Sequence, residues 1–241
     1  LVAMLGLSTL GGFRSAIVLC GMVFVLQFFL EGLHRTRLLL VLGIAATIGG
    51  ALLVPFAQRL PLSVQRAISF LPVDVDLAAR ADAQASNEWR LDMWRVVATQ
   101  IPKYFWIGKG YAINPTDLYL SEESRRRGFV EAFDVSMISG DYHSGPLSVQ
   151  IPFGIFGTLG LLWFLGASLW VLYRNYRFGD PALKTINTFL LSFFIARTIF
   201  YWAFYGSFNS DLAVFAGVIG LSVSLNGGMA KPPEEPAAAP A

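Results

Sequence analysis

Residues 146–173 read PLSVQIPFGIFGTLGLLWFLGASLWVLY, a run without one Asp, Glu, Lys or Arg. A helix that crosses a bilayer needs about 20 mostly apolar residues, and this run exceeds that. The same reading extends outward to Ser15–Leu30, Leu38–Phe56 and Ile186–Phe204. Leu212–Leu225 is weaker; it spans with help from Phe208, or re-enters. Leu1–Leu10 is too short alone and is expected to be the end of a truncated span. Composition agrees: 55% of residues are hydrophobic and 14% charged, against about 25% charged in soluble domains. The expected fold is therefore an all-α integral membrane protein, a polytopic helix bundle.

Several classes are excluded early. A net charge of +2 is too small to argue for nucleic acid. One cysteine, Cys20, builds no disulfide framework. Two histidines far apart, His34 and His143, do not make a zinc cage. The chain opens LVAMLGLSTLGG, with neither a basic n-region nor a clear cleavage site, and reads as the C-terminal part of a longer polytopic protein.

Charge divides the chain. Residues 57–145 hold 10 of the 18 Lys+Arg and 11 of the 16 Asp+Glu, so they form one extramembrane block between membrane helices at 1–56 and 146–226. Residues 227–241 end in a Pro/Ala-rich tail expected to be disordered and cytoplasmic. The short links Glu31–Arg37 and Arg174–Lys184 carry Arg35, Arg37, Arg174, Arg177 and Lys184. Cytoplasmic loops favour such residues. An even number of crossings separates the two links, so both face the cytoplasm and the large loop faces outward. Arg14 then faces outward too, against that bias, and calls for a reason.

The loop has structure of its own. Trp89, Met93, Val97 and Ile101 recur every four residues, one apolar stripe on a helix over Asn87–Ile101. Such a helix can lie in the membrane interface. Arg90 shares a face with Trp94. The run Glu122–Gly128 reads as a solvated stretch. Asp74, Asp76 and Asp82 leave a divalent-metal site conceivable, but no acidic cluster requires one.

His143 stands just before a helix start. Ser144 or Gly145 can cap that helix, and Pro146 suits its first turn. The helix end carries unpaired N–H groups and partial positive charge, which favours a nearby anion and a neutral imidazole able to accept a proton. The plain alternative is an interfacial histidine bonded to a loop carbonyl. Gly154, Gly157 and Gly160 lie three apart and suggest close approach by a neighbouring helix. Arg197 sits inside a span, where a charge usually marks a site or pathway, and Asp211 is its candidate partner.

His143-Ser144, nine residues, Gly154, two residues and Gly157 form the pattern H-[NSQ]-x9-G-x2-G. It resembles the signature of the bacterial O-antigen ligase superfamily, which also includes O-antigen polymerases and protein O-oligosaccharyltransferases. LSTLGGFRSAIV resembles the family's Ser/Arg segment. RLDMW (Arg90–Trp94), then Pro102 and GKG (Gly108–Gly110), resembles the start of its large periplasmic loop. The resemblance implies a GT-C-like, metal-independent glycosyltransferase of the bacterial inner membrane, with no cofactor. It implies an undecaprenyl-diphosphate-linked glycan as donor, and a hydroxyl of lipid A core, a glycan or a protein as acceptor. His143 matches the family's catalytic base, and Arg14 and Arg90 match arginines that hold the diphosphate. Arg80 and Arg197 are further candidates without a firm match. A transporter or flippase fragment, with Arg197 and Asp211 lining a path, is the reading from another class. A non-catalytic membrane scaffold, whose outer domain binds a partner, is a third.

Overall fold

The computed structural model describes residues 14–111, 115, 119, 122–123, 126 and 140–232. The expected truncated span at Leu1–Leu10, most of the expected solvated stretch Glu122–Gly128 and the last residues of the tail lie outside the described residues. Those described form an all-helical chain without strands. Helix α1 is Arg14–Leu30, α2 is Leu38–Phe56, α3 is Leu62–Ile68 and α4 is Leu77–Ala98. Helix α5 is Gly145–Phe178, α6 is Lys184–Ala203 and α7 is Phe208–Asn226. Among the described residues, four helical stretches are long and apolar enough to cross a membrane: Leu38–Arg59, Gly145–Phe178, Pro181–Ala203 and Phe208–Asn226. Ser15–Leu30 is a shorter apolar helix. Because α7 runs the full 19 residues from Phe208, it has the length of a span rather than of a re-entrant turn.

The bundle core is α5, α6 and α7. Leu161, Leu165 and Leu172 of α5 pack with Leu190, Leu191 and Phe194 of α6 and Phe215 of α7. Helix α1 packs along α6. The two ends of the bundle differ in chemistry. At one end the Tyr176 hydroxyl donates to Leu30 O (2.9 Å) and Lys184 Nζ donates to Tyr176 O (2.9 Å), so the two basic links share that end. Asn175, Asn187 and Asn226 bond across α5, α6 and α7 there: Asn226 Nδ2 to Asn187 Oδ1 at 2.9 Å and Asn187 Nδ2 to Asn175 O at 3.1 Å. The tail, expected to be free from residue 227, is tied into this network. Asn175 Nδ2 donates to Gly228 O (3.2 Å), Ala230 N donates to Asn175 Oδ1 (2.8 Å), and Arg174 Nε donates to Ala230 O (2.9 Å). The buried amides bond to carbonyls near the ends of the helices, where intrahelical partners run out.

The opposite end carries His143. Tyr201, at the close of α6, donates its hydroxyl to Gly145 O at 2.9 Å. Gly145 and Gly206 are both required for this approach, because a Cβ on either would collide with Tyr201. Helix α1 spans about 25 Å at 1.5 Å per residue. With Leu30 at the Tyr176 end, Arg14 begins α1 at the His143 end.

Helix α5 is broken rather than continuous. Gly154 has φ 66° and ψ −164°, a backbone that essentially only glycine adopts, two residues after Pro152. The break frees helical hydrogen-bonding groups, and the loop after α4 takes them. Lys109 N donates to Ile151 O (3.0 Å), Gly110 N to Pro152 O (2.9 Å), and Ile155 N to Phe105 O (2.7 Å). A Cβ on Gly108 would collide with Pro152 and Phe153 backbone, and one on Gly154 with Trp106 O and Gly108 N. The glycine spacing suggests helix against helix; the partner at Gly154 is instead this loop. Gly157 makes room for the Phe153 side chain of its own helix, and Gly160 faces open space.

Helix α4 begins ten residues before the stripe does, at an N-cap where Asp76 accepts from Ala78 N (2.8 Å). Its stripe does not face the membrane interface. Met93 and Val97 are fully buried with Tyr142 and Ile151, and Trp89, Ile101 and Leu147 pack around them. Trp94 Nε1 donates to Tyr142 O at 2.9 Å. Helix α4 therefore docks on the short piece of α5 before the break and fixes the residues that precede it.

Candidate functional site

His143 has φ 50°, in the left-handed region, and among the described residues it is the sole non-glycine with positive φ. Such strain costs about 1–3 kcal/mol and clusters at functional sites. Its backbone N–H donates to Asp141 Oδ1 at 3.3 Å. The imidazole is half-buried between two rings from distant elements: Trp89 of α4 at 5.3 Å and Tyr205 of the α6–α7 turn at 5.2 Å. Its Nδ1 is buried and has no hydrogen-bond partner among the described residues. Burial lowers the imidazole below its ordinary pKa; Asp141 opposes this and Arg90 adds to it. The group is thus biased toward its neutral, proton-accepting form.

The Arg90 guanidinium lies 5.9 Å from the centroid of the same Tyr205 ring. Burial lowers its pKa, and the nearby charge of Arg66 on α3 pushes the same way. Arg66 itself pairs with Asp82 at 2.6 Å. Guanidinium stays charged even so. Arg90 is therefore a partly desolvated cation, which favours an anion beside it.

The remaining candidates divide. Arg197 is close to this group, but its Nε and Nη2 both go to Asp211 Oδ1 at 2.5 Å. Asp211 is fully buried and its other oxygen accepts from Ser207 N at 2.8 Å. Arg197 thus reaches the site through the turn it holds. Arg80 stands apart: it is exposed, donates to Val73 O at 3.2 Å, and lies about 15 Å along α4 from Arg90. Arg14 opens α1 at the right end of the bundle, and its side chain lies outside the described residues. Gly154 and Gly157 shape the break that aims the His143 segment. Asp76 and Asp82 are engaged by Ala78 N and Arg66. No three His, Cys, Asp or Glu side chains converge among the described residues.

Sequence reading missed Tyr205, Trp89 and Asp141 as site residues. Trp89 belongs to the apolar stripe of α4 and also meets the His143 ring. Tyr205 lies 62 positions from His143, beside Gly206 in a short turn; that Gly-next-to-Tyr turn was its only local signal.

No curated protein and no solved structure matches this chain. Residues 1–162 match the profile of the O-antigen ligase family. That segment includes Arg14, Arg90, His143, Gly154 and Gly157, and ends before Arg197, Tyr205 and Asp211. With more than half of its length matched and a bundle of membrane-length helices, the chain is a multi-pass membrane protein belonging to the O-antigen ligase family.

Proposed function

We propose that this chain transfers a glycan from an undecaprenyl-diphosphate carrier to a hydroxyl acceptor at the periplasmic face of the bacterial inner membrane, without a metal. The observation that carries the reading is a half-buried imidazole with a partnerless Nδ1, set in one cluster with a partly desolvated arginine. The basic links at the opposite end favour that end as cytoplasmic, which supports reading His143 and the residue 57–145 loop as periplasmic.

The chemistry follows from the charges. The acceptor oxygen attacks the anomeric carbon with inversion while the bond from that carbon to the diphosphate oxygen breaks. The diphosphate leaves with the electron pair. His143 takes the acceptor's proton, a role worth about 10²–10⁴-fold. Arg90, together with Arg14, binds the diphosphate and stabilises the charge developing on it. The Arg197–Asp211 pair counts against a transport path, because both charges are spent on each other within the bundle.

The test is direct. Purified protein in lipid receives lipid-diphosphate glycan and three acceptors in turn: lipid A core, free glycan and a hydroxyl-bearing peptide. Product mass identifies ligase, polymerase or protein transferase. Absence of product with every acceptor, in protein that binds the donor, would defeat the proposal.

A further inference from the structure

An imidazole and a guanidinium from separate parts of the chain meet at one ring. Tyr205 touches His143 at 5.2 Å and Arg90 at 5.9 Å, so a single side chain bridges the imidazole and the guanidinium. Tyr205 sits in a four-residue turn between α6 and α7. That turn is fixed at both ends. Tyr205 N donates to Phe200 O at 3.0 Å, and Ser207 N donates to the Asp211 carboxylate, whose other oxygen holds Arg197. Gly206 lies against Tyr201 and the Gly145 backbone so closely that a Cβ has no room. An ion pair in a bundle core is costly to desolvate and often contributes little stability of its own. Here it holds a turn, and the turn holds a ring in the site.

We propose that Tyr205 is a positioning residue for His143 and Arg90, and that the Arg197–Asp211 pair sets the turn that delivers it. The site is thereby completed by a segment beyond the residues matched to the family. Tyr205 shields one face of the imidazole from water and supplies the ring face over which Arg90 sits. The role assigned to His143 rests on the glycan-transfer reading; the placement of Tyr205 does not, and it is tested separately.

The chain has two histidines, His34 and His143, so imidazole NMR titration resolves each, with H143A giving the assignment. Groups facing His143 are Asp141 on its own segment, Arg90 on α4 and Tyr205 on the turn; Arg197 and Asp211 stand behind Tyr205. Wild-type His143 should titrate below about 6.5, the unperturbed value. Y205A removes the desolvating ring and should raise the midpoint by about 0.5 unit or more, with Y205F close to wild type and His34 unmoved. D211N should also move the His143 midpoint, because it loosens the turn that carries Tyr205. In wild-type protein carrying labelled tyrosine, cross-relaxation between the His143 ring and the Tyr205 ring should be visible, which needs no folded variant. An unchanged His143 midpoint in folded Y205A, or no cross-relaxation in the wild type, would overturn the proposal. A D211N midpoint identical to wild type would remove the ion pair from it. If all these hold while no acceptor yields product, the placement stands and the transfer reading fails.

Discussion

Replacing Gly154 with alanine tests the broken helix, on which the placement of His143 depends. Two costs add. The backbone at φ 66°, ψ −164° is closed to alanine at about 1–3 kcal/mol. The new methyl would stand 2.5 Å from Trp106 O and 2.9 Å from Gly108 N, inside contact distance, so the loop must shift. Such overpacking costs about 1–3 kcal/mol. The sum, about 2–6 kcal/mol, corresponds to a melting point lower by roughly 4–24 °C for a domain of this size. Gly160 is the control, because a Cβ there meets nothing within 4 Å. Alanine at that helical site should be neutral, or stabilising by about 0.5–1 kcal/mol. Circular dichroism during heating in detergent compares the two, and protease sensitivity of residues 99–111 reports whether the loop has let go. If G154A and G160A melt alike with equally protected loops, the lock between loop and break is wrong.

Other outcomes follow from the same contacts. W94F removes the bond from Trp94 Nε1 to Tyr142 O; the unpaired carbonyl should cost about 1–3 kcal/mol in chemical unfolding, and transfer should fall as the His143 segment loosens. N175A strips partners from Gly228, Ser222 and Ala230; hydrogen exchange at residues 227–230 should rise sharply while the His143 end stays protected. The pH profile of transfer should fall along an acidic limb centred below about 6.5, because burial lowers His143 and the neutral form is the base. A limb centred above 6.5 would mean that Asp141, not burial, governs the imidazole. R90K should lose much of the donor affinity, since lysine keeps the charge without the bidentate fork.

Much of the fold was legible because apolar runs of membrane length have few alternatives. Leu38–Phe56 is read from sequence with the bounds it has in the structure. The first turns of α4 were not legible, since LAARADAQAS carries no apolar stripe; the Asp76 cap was the available sign. The glycines were misjudged because a spacing of three fits packing and breakage equally. Pro152 two residues before Gly154 favoured breakage. His143 and Arg90, singled out through their motifs, lie together around the Tyr205 ring. Arg80 was not separable from Arg90 by type; its exposure, its hydrogen bond to Val73 O and its place along α4 set it apart in the structure. Tyr205 was beyond reach, because one sequence does not reveal which residue 62 positions away will lie against a ring.

The central claim is that His143 acts on the proton and not on the donor. H143A should therefore be compared with wild type in two assays on the same membrane-inserted protein: binding of the lipid-diphosphate glycan, and its single-turnover transfer. The account predicts binding within about threefold and transfer lower by about 100-fold or more. Transfer by H143A within about threefold of wild type would contradict it.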